Sequence, residues 1–176
     1  MADLHPDNPY AKERFADPNR QLSFPPEAQE KFEWILSRYP TKMAALLPTL
    51  HLAQEVWGWI SPEVVLYLSE LLELSPATVF GVVTFYNMYN QKPVGKYFLQ
   101  VCTNLSCMLC DAYPIYDHLQ DKLKIAPGET TSDGRFTLME VECLGSCGTA
   151  PVVQINNDYH EQMSIEKVDQ ILAGLK

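Results

Sequence analysis

Between residues 25 and 90 apolar side chains recur every three or four positions; beyond residue 93 they come as short branched and aromatic runs. The first spacing is that of helices with one buried face, the second that of strands. Ala28, Phe32, Ile35, Leu36 and Tyr39 share one predicted helix face, and Pro40 ends that helix. In the next helical segment, "TKMAALLPTLHLAQEVWGW", Pro48 either introduces a kink or starts a fresh turn. Ser61-Pro62-Glu63 is a helix start: serine caps, proline takes the first helical position and glutamate faces the positive end of the dipole. Ser75-Pro76 repeats it. Trp57, Trp59, Phe85, Tyr86 and Tyr89 at helical spacing predict packing into the core of this bundle, with partner-facing anchors as the alternative.

The later segments alternate in type. "KYFLQVC" reads as a strand and "CMLCDAYPIYDHLQDKL" as a helix despite Pro114. "RFTLMEVEC" is a second strand, and "PVVQINNDYHEQM" a hairpin turning at Asn156, Asn157 and Asp158. A last helix is capped by Ser164, with Met163 and Val168 spaced as a hydrophobic staple. Strand, helix, strand, hairpin, helix is the element order of a thioredoxin-like domain. The expected architecture is α+β: a polar, proline-containing lead-in over 1–24, an N-terminal helical bundle over 25–92 and a thioredoxin-like domain over 93–176.

Composition narrows the function classes. At 47% hydrophobic, 176 residues carry a normal globular core. The longest apolar stretch is broken by Ser61, Pro62 and Glu63 well before the roughly 20 residues that span a bilayer. The start has neither an apolar signal core nor a transit-peptide composition, so a cytosolic, bacterial setting is expected. With 13 basic against 22 acidic side chains and a net charge of -9, the chain repels phosphate backbones. "ISPEVVLYLSELLELSPATVFGVV" has a helix-turn-helix cadence but no Lys or Arg, so nucleic-acid binding is not expected.

The chemistry concentrates in the cysteines. "QVCTNLSCMLC" carries Cys102, Cys107 and Cys110, and "ECLGSCGTAP" carries Cys143 and Cys147. Cys107-Met108-Leu109-Cys110, opening a helix after a strand, is compatible with a dithiol oxidoreductase. Against that, Cys102 adds a thiol that disulfide exchange does not need, and Cys143 and Cys147 also sit just past a strand. Neighbouring strands of one sheet deliver both loops to the same end. The spacing is thus two pairs, C-x4-C and C-x3-C, and four converging thiolates are favourable only around a metal. Zinc prefers tighter knuckles, whereas a 2Fe-2S centre gives each pair its own iron, which favours iron. Such a centre has a formal charge of about -2 when oxidised and needs donors around it. Gly145 and Gly148 predict a nest of backbone N–H groups, and Thr103, Asn104 and Ser106 are further candidates. Cys110 reads as an unligated thiol. The histidines His5, His51, His118 and His160 are too scattered for a Rieske-type iron.

On these residues the protein resembles a known family. "LLPTLHLAQEVWGWIS", "GVVTFYNMYNQKPVGKYFLQVCTNLSC" and "GETTSDGRFTLMEVECLGSCGTAPVVQIN" look like blocks of the thioredoxin-like 2Fe-2S subunit of complex I (NADH:quinone oxidoreductase), known in mitochondria as the flavoprotein 2 subunit. The resemblance runs from about residue 10 to the end. It implies a helical bundle followed by a thioredoxin-like 2Fe-2S ferredoxin domain, with Cys102, Cys107, Cys143 and Cys147 as ligands and no role for Cys110. It also implies a place in the peripheral arm on the cytoplasmic side of the bacterial inner membrane, without direct membrane insertion and among other peripheral-arm subunits. The partner implied there is a flavoprotein subunit that binds NADH, FMN and a 4Fe-4S cluster and passes one electron from the flavin. The sequence has neither a G-x-G-x-x-G nor a P-loop, as suits a subunit of NADH dehydrogenase that has no complete active site of its own. The polar lead-in is expected to order against that flavoprotein. The alternatives are the equivalent diaphorase subunit of an NAD-linked hydrogenase or formate dehydrogenase and, from another class, a zinc-stabilised adaptor.

Overall fold

Proline and serine set the helix boundaries in the first half of the computed structural model, which describes residues 22–175. The lead-in over 1–21, including its proposed ordering, lies outside the described residues. The chain divides after Pro93 into two compact units. The first contains α1 (Pro26–Arg38), α2 (Leu46–Trp57), α3 (Pro62–Leu72) and α4 (Pro76–Phe85). Ser61 Oγ accepts the Val64 N–H at 3.3 Å and Ser75 Oγ that of Thr78 at 3.1 Å, each satisfying an orphan donor of the first turn. Pro48 falls in the first turn of α2, where its missing N–H costs nothing, so it begins the helix rather than kinking it. Gly58, at φ 81, ends α2 in the left-handed conformation that glycine adopts freely.

Leu46, Leu50, Leu68, Leu72, Val79 and Val83 form the buried centre of this unit. Phe24, expected in the polar lead-in, belongs to that core. Its ring stacks on Trp57 at 5.0 Å and meets Tyr67 edge-on at 5.4 Å, while the Tyr67 hydroxyl accepts the Phe24 N–H at 3.1 Å. Burying one such ring contributes about 1.5–3 kcal/mol. Tyr39 leaves the predicted face: the residue before a proline is driven to extended backbone, so α1 stops at Arg38 and Tyr39 is exposed. The aromatic run divides likewise. Tyr89 is buried and donates its hydroxyl to the Leu47 carbonyl at 3.0 Å, whereas Phe85 is 79% exposed.

The second unit runs β1 (Tyr97–Cys102), α5 (Leu105–Leu109), α6 (Ala112–Leu123), β2 (Phe136–Val141), a 3-10 turn at Cys147–Thr149, β3 (Val153–Ile155), β4 (Asp158–His160) and α7 (Ile165–Gly174). Its sheet has the order β2-β1-β3-β4, with β1 parallel to β2 and the other pairs antiparallel. Ile115 and Leu119 of α6 and Val168 of α7 share a core with Leu99, Leu138 and Val153. Met163 and Val168 are both buried beside the Ser164 cap, whose Oγ accepts the Lys167 N–H at 3.3 Å.

Two sequence expectations are corrected here. The single helix predicted after Cys107 is broken at Cys110–Asp111, where Asp111 takes φ 66. Pro114 explains the break: its ring would collide with the carbonyl of residue 110 in a continuous helix. The hairpin turn is confined to Asn156-Asn157, because Asp158 already pairs with Ile155. Asn156 tolerates φ 54, and its side chain accepts the Phe98 N–H at 2.9 Å and donates to the Lys96 carbonyl at 3.1 Å.

The parallel register sets Cys102 opposite Val141. The chain therefore leaves β1 and β2 at the same edge, and antiparallel β3 enters there through Pro151 and Val152. Among the described residues no helix is long and apolar enough to cross a membrane.

Candidate metal centre at one edge of the sheet

Cys102 is the last residue of β1, and Cys107 is the third residue of α5. Asn104 starts that helix, its Oδ1 accepting the Leu105 N–H at 2.9 Å. Both cysteines are buried, at 2% exposure, in an apolar cluster with Ala112 and Val152 against which Leu144 and Ala150 pack. Cys143 lies two residues beyond the end of β2 and Cys147 opens the 3-10 turn. Their sulfurs lie 3.4 Å apart and both residues are exposed. Two sulfurs bound tetrahedrally to one metal at about 2.3 Å would sit about 3.8 Å apart, so this pair is close to a ligating separation. All five cysteines are free thiols.

The two pairs are within electrostatic range of each other. Cys107 lies within the electrostatic reach of Cys102 and Cys147, and Cys147, in hydrogen-bond contact with Cys143, also feels Cys102. Burial pushes the Cys107 thiol up to about 11; the neighbouring Cys102 thiol adds to the shift, and the backbone of Val152 opposes it. The Cys147 thiol is raised first by its hydrogen bond with Cys143 and then by that neighbour's charge, with Ser106 pulling the other way. Ionising one thiol makes the next harder to ionise, which is the expected cost of four thiols converging without a cation. A bound metal reverses that cost by taking up the thiolate charge, and soft sulfur donors select iron-sulfur or zinc chemistry. Among the described residues no three or more His, Cys, Asp or Glu side chains gather as a set for one metal ion. Cys143 and Cys147 are the pair in sulfur contact, and Cys102 and Cys107 share one buried cluster.

The donors differ in part from expectation. Gly145, at φ 85, gives its N–H to Cys143 Sγ at 3.4 Å, and Ser106 is close enough to Cys147 to favour its ionised form. Gly148 lies in the 3-10 turn rather than in a nest. Thr103 and Asn104 do not serve the sulfurs: Thr103 Oγ1 donates to Glu140 at 2.7 Å and Asn104 Nδ2 to Glu142 at 2.9 Å. These acids tie the first cysteine loop to the end of β2. The helix break leaves Cys110 exposed, its N–H donating to the Cys107 carbonyl at 3.1 Å. His118 pairs with Asp169 at 2.7 Å, and the His51 ring packs 5.2 Å from that of Tyr89.

Sequence reasoning passed over Glu140, Glu142, Tyr159 and Glu161. The first two had a faint signal, acids alternating with apolar residues just before Cys143. Tyr159 and Glu161 had none, since only the fold of the hairpin returns them to the second loop.

Comparison with known proteins shows the family. The family model of the thioredoxin-like [2Fe-2S] ferredoxins matches residues 32–176. NADH-quinone oxidoreductase subunit 2 of Thermus thermophilus is 42% identical over 158 residues, covering 88% of this chain and 87% of that protein. An NADH-quinone oxidoreductase subunit of Rickettsia felis is 44% identical over 143 residues, covering 80% and 86%. Among solved structures, an NAD+-reducing [NiFe]-hydrogenase in the H2-reduced state superposes with a TM-score of 0.66 at 22% identity, covering 74% of this chain. The match takes up only 22% of that hydrogenase chain, and at this identity the likeness is one of fold. The family match over residues 32–176, most of the sequence, carried on a β2-β1-β3-β4 sheet, establishes that the chain belongs to the thioredoxin-like [2Fe-2S] ferredoxins.

Proposed function

We propose that the chain is the electron-carrying 2Fe-2S subunit of an NADH:quinone oxidoreductase, with Cys102, Cys107, Cys143 and Cys147 as the cluster ligands. The observation that supports this reading is the parallel register of β1 and β2, which sends the loops carrying the two thiol pairs out at the same end of the sheet. When bound, a 2Fe-2S cluster supplies one-electron redox chemistry. The chain's own residues do the rest. Cys102 and Cys107 provide a buried, water-poor side, and Gly145 presents its N–H to the sulfur of Cys143. The exposed Cys143-Cys147 side is where electron exchange with a partner covers the shortest path. No proton-transfer group is required of this chain, which is a part of an enzyme and not a complete one.

The partner on that side is a flavoprotein subunit holding NADH, FMN and a 4Fe-4S cluster, because a one-electron carrier without a nucleotide-binding loop needs a two-electron acceptor of NADH beside it. The helical unit serves as the docking bundle, and Trp34 and Phe85 are large aromatic groups it leaves exposed. Assembly is in the peripheral arm on the cytoplasmic side of the membrane. The names carried by relatives above 40% identity support NADH:quinone oxidoreductase over the NAD-linked hydrogenase reading, for which the likeness is one of fold.

The test is iron and sulfide analysis with an electron paramagnetic resonance spectrum of the dithionite-reduced full chain. Two irons and a rhombic low-temperature signal are expected, with Cys143→Ser depleting or altering the signal and Cys110→Ser leaving it nearly unchanged. Zinc with no reducible centre refutes the reading.

A further inference from the structure

The two cysteine pairs are held in different ways. Cys102 and Cys107 are fixed by burial among Ala112 and Val152. Cys143 and Cys147 are exposed, and so is Gly148 beside them, so apolar packing contributes little to their position. A Gly-containing loop left to itself has high conformational freedom, and ligands must be held to within about half an ångström to bind well. Hydrogen bonds from the far side of the hairpin supply the restraint. Ser146 Oγ and Thr149 Oγ1, which flank Cys147, both donate to one oxygen, Oε1 of Glu161, the bond from Thr149 measuring 2.7 Å. The two hydroxyls also lie 2.8 Å from each other, and the Thr149 N–H donates to the Ser146 carbonyl at 3.1 Å. The clamp is closed from the other side by the Gln162 N–H, which donates to the Thr149 carbonyl at 2.8 Å. Nearer Cys143, the Tyr159 hydroxyl donates to the Leu144 carbonyl at 2.8 Å.

We infer that Glu161 is the positioning residue of the exposed half of the centre: its carboxylate grips Ser146 and Thr149 and through them sets Cys147, and with it Cys143, in place for ligation. The inference rests on the reading of this chain as a 2Fe-2S carrier. A charged acceptor is the stronger choice for such a clamp, since hydrogen bonds to a carboxylate are roughly twice as strong as neutral ones. The two hydroxyls hold the carboxyl below the usual glutamate range, so it remains an acceptor of both at neutral pH. Its negative charge has a second consequence: beside an anionic centre it opposes the arrival of an electron and lowers the reduction potential.

The experiment compares the reconstituted full chain with Glu161→Ala, Glu161→Gln and Tyr159→Phe. It follows iron release to a ferrous chelator, the reduced electron paramagnetic resonance line shape and the midpoint potential. Glu161→Ala is expected to release iron about tenfold faster and to broaden the signal, reflecting the loss of two charge-assisted bonds. Glu161→Gln retains an acceptor and should restore release to within about threefold of the unsubstituted chain, while its potential moves upward because a charge has gone. Tyr159→Phe should loosen iron by a smaller factor in the same direction. Unchanged release in Glu161→Ala overturns the inference, as does a Glu161→Gln chain that is as labile as Glu161→Ala with an unmoved potential. If the unsubstituted chain holds no reducible cluster, the functional reading fails and the inference with it; if it holds one and the variants match it, only the inference fails.

Discussion

Gly95→Ala tests whether the site depends on the close approach of β1 to the chain before β2. A Cβ at Gly95 would lie 2.9 Å from both the carbonyl carbon and oxygen of Arg135 and 3.0 Å from the Gly134 oxygen, all of them backbone. Those atoms have no rotamer to escape into, so the strand start must move by several tenths of an ångström. Overpacking of this kind costs about 1–3 kcal/mol. The movement also strains three hydrogen bonds made over the same residues: Gly95 N–H to Thr137 Oγ1 at 2.6 Å, Lys96 N–H to the Gly134 carbonyl at 3.1 Å and Tyr97 N–H to the Arg135 carbonyl at 2.7 Å. Losing one of them adds about 1 kcal/mol, for a total of about 2–4 kcal/mol. Urea unfolding of the full chain measures it, with Gly81→Ala as the matched control. Gly81 sits inside α4 with nothing within 4 Å of the position its Cβ would take, so alanine there should stabilise by about 0.5–1 kcal/mol. Because Gly95 leads into the strand that ends at Cys102, its substitution should also lower iron occupancy after reconstitution. A Gly95→Ala chain within about 0.5 kcal/mol of the unsubstituted protein, an effect no larger than a neutral surface change, would refute the reasoning.

Two further substitutions and one titration probe the second unit. Tyr116 carries a buried hydroxyl without a hydrogen-bond partner, its phenol raised first by burial and then by the charges of Glu140 and Asp117. Tyr116→Phe removes an unsatisfied group that costs about 1–3 kcal/mol, so its urea midpoint should hold or rise, and a fall worth more than about 1 kcal/mol contradicts the accounting. Asp169 accepts from Lys122 and His118, each at 2.7 Å, and Lys122 followed by His118 holds its carboxyl below the usual range, with Glu166 also nearby. A depressed folded-state pKa gives stability that is fully present above the unfolded carboxylate value and disappears as pH falls through the folded one. Stability measured by urea from about pH 6 to about pH 2 should therefore fall in the acid range, and Lys122→Met should flatten that slope; an identical slope in the variant would exclude the Lys122 contribution.

How much of this was legible in the sequence depended on how local each cause was. Ser61 and Ser75 cap helices because a hydroxyl reaches an N–H three residues on, a relation written within four letters. Pro114 carried the same kind of local information: its ring bars a helical turn through Cys110, which is why the C-x-x-C pair does not open one continuous helix. Phe24 closes a polar stretch of sequence, while the rings that pack on it, Trp57 and Tyr67, lie more than 30 residues away. The thiols stood out because their chemistry is rare and their spacing repeats. Their supports did not, since glutamate is common on any surface and nothing near residue 161 announces that the hairpin will carry it to Ser146.

The same contrast explains why thiols alone do not define the site. A ligand's identity is a property of one residue, but its position is a property of the loop, and that depends on partners supplied by other elements. Cys102 inherits its position from the β1 ladder, so the pattern that predicted a strand also placed a ligand. Cys143 lies just past β2 and Cys147 in the 3-10 turn, with Leu144, Gly145 and Ser146 between them and no ladder bond to hold them. Their placement falls to Glu161 and Tyr159, contacts that exist only once β4 has paired with β3. The buried pair is thereby ordered by the sheet itself and the exposed pair by the hairpin, so lesions in β4 should loosen iron without unfolding the core, whereas lesions at Gly95 should do both.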